Sequence, residues 1–197
     1  MPILLQASNL SKEYRGRKIF SNLTFAVSKR QKIGIIGRNG AGKSTLFRII
    51  LGEENADSGQ IIIGREARIG YLRQEEDFLP EESALTYLMR IGRKEDWAAK
   101  KMAAKFQLGE KELARTAKSF SGGWRMRLRL VGMLIAEPNI FMLDEPTNYL
   151  DLNTLMLLEN YLRSYKGSFL IISHDREFIK KTCEETLEIS TNGCYHY

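Results

Sequence analysis

Nine consecutive residues, Gly37-Arg38-Asn39-Gly40-Ala41-Gly42-Lys43-Ser44-Thr45, have the types and spacing of a phosphate-binding loop. Gly37, Gly40 and Gly42 let the backbone turn tightly and bring its N–H groups close to phosphate oxygens. Lys43 places a cation at the β- and γ-phosphates, and the Ser44 hydroxyl is a suitable Mg²⁺ ligand. A chance match in a chain of this length is on the order of one in a hundred. A second chemical cluster lies about 100 residues on, where the apolar run Ile140-Phe141-Met142-Leu143 ends in Asp144-Glu145. That pattern delivers two acids at the C-terminal edge of a buried parallel strand. Asp144 is placed to hold Mg²⁺ through a water, while Glu145 points elsewhere and can polarise an attacking water.

Two smaller signals accompany these. His174 follows the run Phe169-Leu170-Ile171-Ile172-Ser173, another strand leaving at the same edge. Ser121-Gly122-Gly123 opens a helix, which makes either an anion site of free N–H groups and macrodipole or an ordinary N-cap.

The elements that must position these residues follow from hydrophobic pattern. Lys32 to Ile36 reads as a short buried strand, and Ser44 to Leu51 as a helix whose N-terminus faces the anion. The Ser121 helix runs from Trp124 to Glu137 and is stopped by Pro138. Residues up to about Leu72 read as β-rich, and those from about Ser83 to Ala136 as helical. Leu85, Leu88 and Met89 mark one helix there, and Asp96 to Phe106 a second. From Asn139 strands and helices alternate, with Leu155, Leu158 and Leu162 forming one apolar stripe. Thr191-Asn192-Gly193 is a turn into a terminal strand, Cys194 to Tyr197.

Taken in order, these motifs resemble an ATP-binding-cassette (ABC) nucleotide-binding domain from Leu10 to about Ile189. The resemblance implies an α/β fold of the P-loop NTPase type, a RecA-like core with an antiparallel β subdomain and a compact helical subdomain. It implies ATP and Mg²⁺ as ligands, and a second cassette whose signature residues, matching Ser121, Gly122 and Gly123, close over the γ-phosphate in trans. Gln74 matches the family's glutamine switch, which senses Mg²⁺ and γ-phosphate. His174 resembles its switch histidine. Leu150-Asp151 matches the segment that crosses the dimer interface. Tyr14, 23 residues before Gly37, sits where the family's adenine-stacking aromatic lies, with a buried core tyrosine as the rival reading. Ser121-Gly122-Gly123-Trp124-Arg125-Met126-Arg127, Asp144 to Asp151 and Ser173 to Phe178 resemble the ABC-F group, which has two cassettes, no membrane domain and a place of action on the ribosome. Tyr149 and Phe120 depart from that group's commoner His and Leu, and only one cassette is present.

Composition bounds the rest. At 197 residues and 22.6 kDa the chain suits one domain. Two isolated cysteines exclude a disulfide scaffold and point to a reducing cytosol. No apolar run approaches a membrane span. Residues 1–50 carry ten Lys/Arg against one acid, which fits either RNA contact or a solvated face, and no aromatic-basic RNA motif is evident. Glu75-Glu76-Asp77 with Glu81-Glu82 reads as a solvated loop. Gln74 and Ser121 are 47 residues apart, too close for the long helical arm of many first ABC-F cassettes.

The expectation is therefore a single cassette over 1–197. Residues 1–74 and 138–197 form its core and β subdomain, and about 75–137 its helical subdomain and signature helix. The leading function is an ATPase of ABC-F type acting on the ribosome (translation factor or ribosome protection) in the cytoplasm. The alternatives are the ATPase subunit of a membrane transporter and a nucleotide-binding switch with little turnover. The chain is expected to be the N-terminal cassette of a longer protein, with a homodimerising single cassette as the other option.

Overall fold

The computed structural model describes residues 2–72, 78–148, 150–191 and 193–197. They fall into two compact units, the first comprising 1–69, 139–145 and 165–197, the second 70–138 and 146–164. The sequence reading assigns 146–164 to the core, but the structure groups these residues with the helical unit.

In the first unit, β1 (Ile3–Tyr14) pairs antiparallel with β2 (Arg17–Ser28) and with β4 (Ser58–Ile63), giving the order β2-β1-β4. Apolar residues alternate along β1 and β2, so Leu5, Ala7, Leu10, Leu23 and Val27 are wholly buried on one face. The second sheet holds β3 (Lys32–Ile36), β6 (Ile140–Asp144), β7 (Ser168–Ile172) and β8 (Glu185–Ser190), all parallel, with β9 (Gly193–His196) antiparallel beside β8. Within this unit the order is β6-β7-β3-β8-β9, and the short strand β5 (Ile69–Tyr71) begins at the unit's last residue before 139. Phe141, Met142, Leu143, Phe169, Leu170 and Ile171 are fully buried, as strands covered on both faces must be. Helices α1 (Lys43–Ile50) and α7 (Arg176–Thr182) belong to this unit.

The second unit is helical: α2 (Ala84–Gly92), α3 (Asp96–Lys105), α4 (Glu110–Leu113), α5 (Gly122–Ile135) and α6 (Leu152–Ser164). Helix α5 starts two residues before the sequence reading puts it. Ser121 has extended N-cap geometry, and that geometry, rather than the low helix propensity of Gly122 and Gly123, sets the boundary. The stripe on α6 is Thr154, Leu158 and Leu162, all buried, with Leu155 only partly so. Close packing of α2 on α5 depends on Gly92, where an added Cβ would lie 1.9 Å from Ile135 Cγ2.

Gly92→Ala should therefore overpack this contact and cost about 1–3 kcal/mol. At Gly122 an added Cβ would meet nothing within 4 Å, so Gly122→Ala should leave stability within about 0.5 kcal/mol. Urea denaturation of the two variants checks the contrast.

Candidate functional site

The chemistry of the first unit gathers at one sheet edge because neighbouring strands β6, β7 and β3 are parallel and end together. Asp144 pairs with Ile172, and Ile35 with the same Ile172, so the chain leaves all three strands at one level. The loop after β3 is Gly37 to Gly42, that after β6 starts at Glu145, and that after β7 holds Ser173 and His174.

Gly37, Gly40 and Gly42 all have positive φ, at 154°, 78° and 88°. A Cβ on Gly42 would lie 2.4 Å from Ile19 Cγ2 and 2.7 Å from the Phe20 ring, so glycine there is required by conformation and by space. Helix α1 starts directly after it and aims its free N–H groups back at the loop. The Lys43 side chain is buried, and its ammonium donates to the carbonyls of Gly37 (3.0 Å) and Arg38 (3.4 Å). A buried cation whose hydrogen bonds go to neutral carbonyls, with only the Asp144 carboxyl attracting it among the described residues, suits an anionic ligand.

Burial raises the Asp144 carboxyl above its usual range, against a hydrogen bond from Ser44 and the attraction of Lys43 and Arg48. Its neighbour Glu145 has φ +47°, uncommon for a residue with a side chain, and its N–H donates to Ile172 O at 2.9 Å. This turn directs the Glu145 carboxylate toward His174. Glu145 Oε2 accepts from the His174 backbone N–H at 3.2 Å, and Oε1 lies 3.2 Å from His174 Nε2.

One groove of about 400 Å³ is lined by Tyr14, Asn39, Gly40, Gly42 to Thr45, Asp144, Glu145 and His174. Ala41 is outside that lining, while Gly37 and Arg38 border an adjacent recess that also reaches His174. Tyr14 is 39% exposed, so the rival reading as a core tyrosine fails. Its hydroxyl donates to Glu54, which holds that carboxyl below its usual range, and Lys12 Nζ lies 5.2 Å from the ring centroid. Gln74, with Glu75-Glu76-Asp77, lies outside the described residues.

Ser121, Gly122 and Gly123 belong to the second unit. The Ser121 side chain caps nothing in its own helix. Gly122 faces open space, and a Cβ on Gly123 would approach only Asp151 Oδ2, at 3.9 Å. Packing among the described residues therefore does not require glycine at either position of this helix start.

Sequence reasoning used Arg127 only as part of the ABC-F-like run and gave it no contact or role. It is buried, donates to Thr154 Oγ1 at 2.6 Å and to both Asp151 oxygens at 3.1 and 3.0 Å, and its guanidinium carbon lies 4.3 Å from the Trp124 ring centroid. The Thr154 N–H also donates to Asp151, and this bond leads the causes that hold the Asp151 carboxyl below its usual range. The signature helix and the segment after Leu150 are thereby tied together.

Comparison with known proteins gives this site its context. The family model described as "ABC transporter" matches residues 20–148. The chain belongs to the ATP-binding-cassette family. It is 37% identical, over 96% of its length, to the energy-dependent translational throttle protein EttA of Escherichia coli (strain K12), and 36% identical, also over 96%, to the ribosome protection protein VmlR of Bacillus subtilis (strain 168). Both relatives are ABC-F proteins. The chain spans about a third of the length of these relatives, 35% in each case. Among solved structures, the ATP-binding subunit of an ABC transporter matches with a TM-score of 0.85 at 22% identity, covering 98% of this chain and 89% of that one. A dimeric post-hydrolysis cassette bound to ADP and Pi matches at 0.79 and 19%, covering 98% and 97%. These likenesses show the fold. No helix among the described residues is long and apolar enough to cross a membrane.

Two predictions follow from the site's electrostatics. A raised Asp144 pKa means that the folded state holds its proton more tightly than the unfolded state, so stability falls as pH rises through that raised value. Asp144→Asn should melt at the same temperature as the wild type at low pH. It should melt higher at pH 8, with the gap opening above the ordinary carboxylate range in a pH series of thermal melts. Arg127→Ala should cost about 2 kcal/mol by denaturant unfolding, since it strips charged hydrogen bonds from Asp151 and Thr154.

Proposed function

We propose that this chain is one cassette of a cytoplasmic ABC-F-type protein that binds and hydrolyses ATP and, on closing against a second cassette, does conformational work on the ribosome. The observation that carries the ATPase reading is the gathering of Lys43, Ser44, Asp144, Glu145 and His174 around one groove. Lys43 and the loop N–H groups bind the β- and γ-phosphates. Ser44 and Asp144 would hold Mg²⁺, with Gln74 as a further ligand, and when bound the ion neutralises developing phosphate charge. Glu145 polarises the attacking water, and the hydrogen bond it accepts from the His174 backbone N–H orients the carboxylate. Tyr14 stacks on the adenine. The open Gly122 and uncapped Ser121 suit a phosphate presented by a partner cassette, which completes each site in trans. The relatives' printed names, a translational throttle and a ribosome protection protein, support the ribosomal setting. Their greater length supports placing this chain as the N-terminal cassette of a longer protein, with a homodimer as the other assembly.

A transporter ATPase subunit is the second reading, supported by the family description and by the solved transporter cassette. Pelleting with ribosomes in the presence of ATP separates the two, since a transporter subunit has no reason to pellet.

Glu145→Gln should bind ATP within a few-fold of the wild type and lose about 10²–10⁴-fold in turnover. Lys43→Ala should instead lose ATP affinity. Calorimetry and phosphate release on both variants check this, and near-normal turnover by Glu145→Gln would contradict the role given to it.

A further inference from the structure

Helix α3 meets the rest of its unit through Ala99 and Ala103, both fully buried. Its other side carries Trp97, 68% exposed, with Lys101 and Lys105 one and two turns on. A tryptophan brings more apolar surface than any other side chain, yet the fold leaves this one in water. Trp97 forms part of a recess of about 400 Å³ whose floor includes Ala98, Met102 and Ile135.

The charges around that recess do not cancel. Lys94 is paired with Glu137 at 2.8 Å, and Lys100 with Asp96 at 2.9 Å. Lys105 Nζ lies 5.9 Å from the Tyr161 ring centroid. Arg93 and Lys101 make no ion pair among the described residues. Arg93, Lys101 and Lys105 therefore face a single uncommitted carboxylate in the lining, Glu95. Sequence analysis found no aromatic-basic motif, but the helix assembles one from positions four residues apart.

We propose that this recess docks an unpaired RNA segment, one base stacking on Trp97 and the flanking phosphates lying against Arg93 and Lys101. Cations alone would suit an acidic peptide equally, but carboxylate side chains leave the indole bare, whereas an unstacked base supplies the matching flat face and carries its own phosphate. A duplex keeps its bases stacked internally and offers none. The inference rests on the ribosomal reading only for the source of the RNA.

The test is anisotropy of a labelled, unstructured RNA of about ten nucleotides, over a range of salt, with saturating Mg-ATP filling the phosphate loop. Trp97→Ala should weaken binding about tenfold or more, and Trp97→Phe should recover most of it. Lys101→Ala should reduce the slope of log K against log salt by about one. Both positions are exposed, so unchanged melting curves exclude misfolding as the cause. Equal binding by wild type and Trp97→Ala overturns the proposal, as does equal affinity for a blunt RNA duplex or a polyglutamate peptide. Ribosome pelleting run alongside keeps the two readings apart. Trp97-dependent oligonucleotide binding without pelleting upholds the pocket and removes the ribosomal reading. Pelleting without oligonucleotide binding overturns the pocket alone.

Discussion

The parallel register of β6, β7 and β3 is the constraint on which the site depends. Parallel neighbours whose ends are level send their loops out at one edge, so residues more than a hundred positions apart in sequence become neighbours. Lys43 follows the first loop at the start of α1, Glu145 comes from the second loop and His174 from the third. A one-residue slip in that register would turn Asp144 to the opposite face of the sheet, because side chains alternate along a strand. The buried Phe141 to Leu143 and Phe169 to Ile171 hold the register through apolar contact on both faces.

The same edge concentrates electrostatic cost. Lys43 is buried with its ammonium hydrogen-bonded to carbonyls, Asp144 is pushed toward its neutral form, and Glu145 takes a positive φ. A buried cation, a carboxyl whose ion is disfavoured by burial and a positive φ each depart from what stability alone would favour. The signature segment shows the opposite economy, with glycines at 122 and 123 that its own unit does not need.

Much of this was legible in the sequence, for identifiable reasons. The phosphate loop and the strands β3, β6 and β7 were readable because glycine spacing and short unbroken apolar runs are local signals. The start of α5 was misplaced by two residues because glycine propensity argued against a boundary that N-cap geometry sets. The contacts of Arg127 could not be found, since a buried arginine reads as a surface one until Asp151 and Thr154, 24 and 27 residues later, fold against it. Trp97 and Lys101 were findable, because their spacing is helical. Apolar periodicity, used to place α3, looks only at the face that is buried.

The proposal at the centre of this account is that the phosphate loop of one cassette works with the signature serine of another, which for two copies of this chain is Ser121. Mixing two inactive variants, Lys43→Ala and Ser121→Ala, tests it most directly. In a mixed pair the intact loop of one chain meets the intact signature of the other, so one of two sites is whole. Random pairing then predicts that steady-state ATP turnover rises on mixing to roughly a quarter of the wild-type rate. A mixture no faster than the sum of its separate components, under conditions where the wild type turns over, would contradict the account.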